Sequence, residues 1–86
     1  MDKQRHTPQQ AVLQELLREL RRAADLSQEE LARRLDEPQP FVSRYETGER
    51  RLDVLELRVV LSALGVSFVE FAQRFEDQIK AAESSR

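Results

Sequence analysis

Apolar residues along the chain recur at three- and four-residue spacing in five separate stretches, each opened by a polar cap. In the first, Leu13, Leu16, Leu17, Leu20 and Ala24 form one stripe. Thr7 is placed to cap it, Pro8 suits the first helical position, and Gln10 completes a capping box. Glu15, Arg18, Glu19 and Arg22 fall mostly on the other face, and the helix is expected to end near Ala24 or Asp25. Ser27 and Glu30 make a second capping box, ahead of a narrow apolar face of Leu31, Ala32 and Leu35. Arg33 and Arg34 follow Glu29 and Glu30 by four residues, the spacing of helical ion pairs, and read as a solvated face.

The run Asp36-Glu37-Pro38-Gln39-Pro40 breaks the pattern. Asp tolerates the left-handed turn that ends a helix, and each proline lacks an N–H and restricts its predecessor. A third, two-turn helix is expected over 40–47, with Gln39 as cap, Pro40 at its first position and Gly48 as its stop. Phe41, Val42 and Tyr45 are its apolar side; Gln39, Ser43, Arg44 and Thr47 are left for solvent or a partner. A helix this short is marginal alone, so it needs a rigid backing. Asp53 and Glu56 open a fourth helix with Leu57, Val60, Leu61 and Leu64 inside and Gly65 at its end. Ser67 and Glu70 open a fifth, with Phe68, Phe71, Ala72, Phe75 and Ile79 on one stripe. Its distal part, Phe75 and Ile79, either completes the core or packs on a second subunit, and is the candidate dimer interface.

Five capped helices without a strand pattern predict an all-α fold, a compact five-helix bundle. The expected organisation is an unstructured arm over 1–6, one domain over 7–82 and a frayed tail over 83–86, the fraying starting from Lys80. The arm carries Lys3 and Arg5, so it either frays or reaches a DNA groove. Within the domain, 27–48 is two short helices joined by a few residues. That is the skeleton of a helix-turn-helix, whose second helix enters the DNA major groove.

Composition narrows the class. Eighty-six residues make one domain, and the absence of cysteine excludes disulfides and thiolate metal sites and suits a reduced, intracellular setting. No apolar run approaches the ~20 residues of a membrane helix, and no signal-peptide core is present, so no membrane role is expected. The single histidine, His6, sits in the arm; there is no glycine-rich phosphate loop, and the acids serve as caps and ion pairs. No enzyme activity, cofactor or metal is expected. The net charge of -2 runs against the basic footprint of a nucleic-acid binder. From Asp53 onward, however, there are six acids against four bases, whereas Arg33, Arg34, Arg44, Arg50 and Arg51 lie in or beside 27–48. Net charge says little where charges are segregated on the surface, and this distribution is compatible with a local basic face without establishing one.

Four stretches, Leu20-Arg21, Leu26-Ser27-Gln28-Glu29-Glu30-Leu31-Ala32, Val42-Ser43-Arg44-Tyr45-Glu46-Thr47-Gly48 and Leu64-Gly65-Val66-Ser67, occur in this order over 17–72. In that combination the chain resembles the phage repressor/Cro-like (XRE-type) helix-turn-helix family. The resemblance implies a lambda-repressor-like bundle of five helices, commonly dimeric, that binds operator DNA. It implies base contacts from Gln39, Pro40, Ser43 and Arg44, of which Arg44 is the strongest candidate. It implies backbone contacts from Gln28, Thr47, Arg50 and Arg51, with Gln28 at a helix N-terminus suited to a phosphate, although a plain surface glutamine fits there too. Arg21 and Glu46 match an ion pair that orients the recognition helix. Two departures stand out: Asp36 and Glu37 replace the usual glycine and apolar residue of the turn, and Pro38-Gln39-Pro40 replaces a hydroxyl cap. The acids at 36 and 37 are expected to turn away from DNA.

The function expected is therefore sequence-specific binding of double-stranded DNA by a transcriptional regulator, a repressor acting as a homodimer on a palindromic operator. Its place is the bacterial or phage cytoplasm, on the nucleoid. The rival is a protein-interaction module of the same fold, such as an antitoxin or phage regulatory partner with weak DNA binding. The net acidity and the aromatic fifth helix favour that rival; Arg44, Arg50 and Arg51 favour DNA.

Overall fold

The computed structural model describes residues 7–84, so the expected arm at 1–6, with His6, lies outside the described residues. Five helices follow one another: α1 Pro8–Ala23, α2 Gln28–Leu35, α3 Gln39–Glu46, α4 Val54–Leu64 and α5 Phe68–Ser84. The caps form as the side chains dictate. Thr7 Oγ1 accepts from the Gln10 N–H at 3.1 Å, and reciprocal capping boxes close at Ser27/Glu30 and Asp53/Glu56. Ser67 Oγ accepts from the Glu70 N–H at 3.0 Å.

Three helices end in the same left-handed device. Asp25 (φ 61°), Asp36 (φ 57°) and Gly65 (φ 75°) each reverse the chain, and the next N–H reaches back to a carbonyl five residues earlier: Leu26 to Arg21, Glu37 to Ala32, Val66 to Leu61. After α1 the reversal drives Leu26 into the core, the hydrophobic contact that usually accompanies this motif. After α2 the equivalent residue is Glu37, which is exposed.

The core gathers one face from every helix: Leu16, Leu17 and Leu20 of α1, Leu31 and Ala32 of α2, Val42 and Tyr45 of α3, Val60, Leu61 and Leu64 of α4, and Phe71 of α5. It is dense enough that Leu16, Leu31 and Val42 keep no exposed surface. α2 packs mainly on α3 and α4, while α5 lies along α1. The recognition-helix candidate α3 thus rests on α1 and α2.

Four expectations need correction. α3 begins one residue early: Pro38 is the cap (φ -68°, ψ 152°) and Gln39 the first helical residue, with Pro40 second. Neither proline has an N–H that the first turn could use, and the side chain of Gln39 is held by α2, so a tertiary tie overrides the local bias against a helical residue before proline. Arg33 and Arg34 do not pair with Glu29 and Glu30. Glu30 is occupied in its capping box, and Arg34 instead reaches the Ala63 carbonyl in the last turn of α4, at 3.4 Å. α5 continues to Ser84, so Lys80 to Ser84 are helical rather than frayed. Finally, Phe75 and Ile79 belong to the intramolecular packing: Ile79 is 8% exposed against the α1 side of the bundle, and the half-buried Phe75 stacks on Phe71 at 6.0 Å. Ile79 is thus accounted for within the chain, whereas the half-buried Phe75 keeps part of its surface for a second subunit.

Candidate nucleic-acid interface

α3 has two sides of opposite character. Val42, Tyr45 and Glu46 point inward and are buried; Gln39, Pro40, Arg44 and Thr47 are exposed, and Ser43 is half-buried between them. The outward residues lie on adjacent turns of one helix face. Ser43 Oγ donates to the Pro40 carbonyl and Thr47 Oγ1 to the Arg44 carbonyl, each at 3.2 Å, which holds both hydroxyls against the helix.

Glu46 is a carboxylate with 1% of its surface exposed, a placement tolerated only when every lone pair finds a donor. Here it does. Arg21 grips it with Nε to Oε2 at 2.8 Å and Nη2 to Oε1 at 3.1 Å, and Gln28 Nε2 donates to Oε1 at 3.0 Å. Arg21 also donates through Nη1 to the Leu26 carbonyl at 2.9 Å, tying the α1–α2 turn to the same group. The hydrogen bond to Glu46 is the main cause of the raised Arg21 pKa, so the guanidinium stays charged at any working pH. The backbone carbonyl of Glu46 accepts from Gln14 Nε2 at 3.3 Å and Arg18 Nη2 at 2.9 Å. One residue of α3 is thereby clamped by three side chains of α1 and one of α2.

The chain of amides runs on to the surface. A carboxylate can only accept, so Gln28 must turn its NH₂ inward and its carbonyl outward. That carbonyl accepts from Gln39 Nε2 at 3.0 Å, which fixes Gln39 with its own carbonyl and one N–H free. Gln28, the expected phosphate anchor, therefore spends one N–H and its carbonyl inside the protein and keeps one N–H.

The three basic candidates differ. Arg44 makes only a loose surface pair, Nε to Glu49 Oε2 at 3.9 Å, with both side chains more than half exposed. Such a pair contributes little and releases easily. Arg51 is exposed and has no ion pair among the described residues. Arg50 is held in place: Nη2 meets Glu56 Oε2 at 2.7 Å, and its guanidinium lies 4.9 Å above the Phe41 ring. That pairing raises the Arg50 pKa and lowers that of Glu56, hydrogen bonding between the two being the main cause in both. Arg50 thus braces α3 against the start of α4. Glu37 borders a surface cleft together with Pro38, Pro40, Phe41, Arg44 and Arg50.

Gln14, Arg18, Phe41 and Glu56 escape sequence reasoning as supports of this face. Arg18 and Gln14 read as the outer face of α1, and nothing local marks their reach to residue 46. Glu56 reads only as a capping residue, yet its Oε1 also accepts from the Asp53 N–H at 3.0 Å while the carboxylate holds Arg50. Among the described residues no cluster of His, Cys, Asp or Glu could hold a metal, and no helix is long and apolar enough to cross a membrane.

A family model described as helix-turn-helix matches residues 17–71, which takes in the buried clamp, the turn and the whole of α3. Among solved structures, the chain is similar to an XRE-family like protein from Pseudomonas syringae pv. tomato str. DC3000, at 39% identity and a TM-score of 0.79, over 90% of this chain and 94% of that one. No curated protein matches. Matched by the family model over well over half its length, and by that relative over nearly all of it, the chain belongs to the XRE-type helix-turn-helix family of DNA-binding regulators.

Proposed function

We propose that the protein is a sequence-specific transcriptional regulator, a repressor that binds a palindromic operator as a homodimer with α3 in the major groove. The observation that carries this reading is the division of α3 into a clamped inner side and a free outer row, Gln39, Pro40, Ser43 and Arg44. Gln39, fixed by Gln28 with one acceptor and one donor free, matches the N6/N7 edge of adenine; Arg44 matches O6/N7 of guanine; Pro40 offers apolar contact to a thymine methyl. Thr47, Arg51 and the remaining N–H of Gln28 lie where backbone phosphates would be met, and Arg50 adds its charge to that region from its braced position. Two such helices ~34 Å apart would occupy successive major grooves. Bound over a promoter, the dimer represses by occluding polymerase in the bacterial or phage cytoplasm.

The test is selection of bound DNA from a random pool at near-physiological salt. Enrichment of a symmetric motif supports the reading; no enrichment promotes the protein-interaction alternative, which the net charge of -2 favours. On the selected operator, Arg44→Ala should cost ~1–3 kcal/mol and relax discrimination at one base pair. Arg51→Ala should weaken binding to all sequences alike and flatten its salt dependence. Parent-like binding by both variants would refute the placement of α3.

A further inference from the structure

A cavity of about 190 Å³ lies between α1 and the loop that joins α3 to α4. Its walls are apolar: Leu13 and Leu17 of α1, Tyr45 of α3, Leu52 of the loop and Leu57 of α4. Its polar lining is Gln10, Arg50 and Arg51, with no acid among the lining residues. Arg50 already pairs with Glu56 at 2.7 Å. Arg51 has no ion pair, and the Gln10 side chain no hydrogen bond, among the described residues. Gln10 and Arg51 also line an adjoining cleft with Thr7 and Gln9, and Arg51 is exposed, so these two groups stand where the cavity meets the surface. The result is an apolar chamber with one uncompensated positive charge and one unused amide at its rim.

We infer that this cavity binds a small monocarboxylate with an apolar body, and that the bound ligand competes with DNA for Arg51. The carboxylate takes Arg51 and Gln10, and the body lies among the leucines. One unpaired guanidinium matches a single negative charge, and its fork of N–H donors suits the two oxygens of a carboxylate. A phosphate group would bring a second charge that the rim does not balance, and nothing for the leucines to cover. Size limits the body. An apolar cavity of ~150 Å³ takes one benzene, and drug-sized ligands need ~300 Å³ or more, so the body is a single ring or a chain of about six carbons. The competition rests on the operator reading above, which sets Arg51 against a backbone phosphate: one guanidinium cannot hold both anions. The ligand then acts as an effector that releases DNA, and bound DNA weakens the ligand by the same factor.

The site is tested on the full chain without DNA, with hexanoate as the probe. Titration should shift the methyl resonances of Leu13, Leu17, Leu52 and Leu57 saturably. It should also change the fluorescence of Tyr45, the single tyrosine of a chain without tryptophan. Acetate, which lacks the body, and hexanol, which lacks the charge, should each bind at least about tenfold more weakly. Arg51→Gln should weaken hexanoate about tenfold, the loss of one charge-assisted hydrogen bond, and Gln10→Ala should weaken it to a lesser degree. Both variants should keep the parent's circular dichroism and melting temperature, since neither side chain has a partner in the fold. No saturable shift, binding of hexanol as tight as hexanoate, or full affinity in Arg51→Gln would overturn the site. On the selected operator, saturating hexanoate should weaken the parent more than Arg51→Gln; equal weakening of the two, or none, would overturn the competition. Hexanoate binding by a chain that selects no DNA would support the site and remove the operator reading instead.

Discussion

Single residues carry much of the arrangement, and Gly48 shows how. It sits at φ 83°, and a Cβ there would lie 2.9 Å from Gln14 Oε1, the side chain whose amide holds the Glu46 carbonyl. Gly48→Ala therefore meets both left-handed strain and a displaced clamp, and should destabilise by ~1–3 kcal/mol in denaturant unfolding. Tyr45 is the opposite case. Its ring is a 3%-exposed part of the core, and burial raises the phenol pKa, yet the hydroxyl has no hydrogen-bond partner among the described residues. Removing an unsatisfied buried group relieves a desolvation cost of ~1–3 kcal/mol, so Tyr45→Phe should melt no lower than the parent. A lower melting temperature would mean that the hydroxyl has a partner.

At the scale of elements, helix type and order were legible because four of the helices open on a side-chain cap and the first four are followed by a left-handed residue. The turn at Asp36 was readable for the same reason: Asp accepts φ 57° where glycine is usual. What escaped were ties between elements. The start of α3 moves by one residue because Gln39 is bound to Gln28, eleven positions away, and Arg34 leaves its helical neighbours for α4. No local pattern encodes either partner. The brace between α3 and α4 gives a pH test. Glu56 has its pKa lowered from 4.5, first by Arg50 and then by the Asp53 backbone, so its contribution is present above that value and is lost as pH falls through the lower folded value. Glu30 behaves likewise through its bonds with Ser27. Glu56→Gln should melt lower than the parent at neutral pH and lose less of its stability between pH 5 and 3, which thermal melts across that range will read.

For the whole molecule, the apolar pattern located the core but not the uncovered surface. Phe75 and Ile79 lie on the same stripe as Phe71, and periodicity alone cannot say whether α1 covers the far end of α5. It does: α5 packs along α1. Ile79→Ala should cost ~2–5 kcal/mol in stability and leave the oligomeric state unchanged, as a core truncation does. Loss of the dimer without loss of stability would place Ile79 in the interface instead. The candidate site was legible in its outward residues, Gln39, Pro40, Arg44 and Thr47, whereas its mount, above all Gln14, Arg18 and Glu56, was not.

The clamp on Glu46 bears on how such a regulator can diversify. The groups that clamp Glu46 face inward, and the exposed residues of the row Gln39, Pro40 and Arg44 are free of the core. Exposed positions away from special contacts usually tolerate substitution within ~0.5 kcal/mol. Lineages carrying this bundle can therefore exchange their outward alphabet by single mutations and acquire new binding sites without passing through an unfolded ancestor. Position 39 alone is tethered, through Gln28, to the part that cannot change.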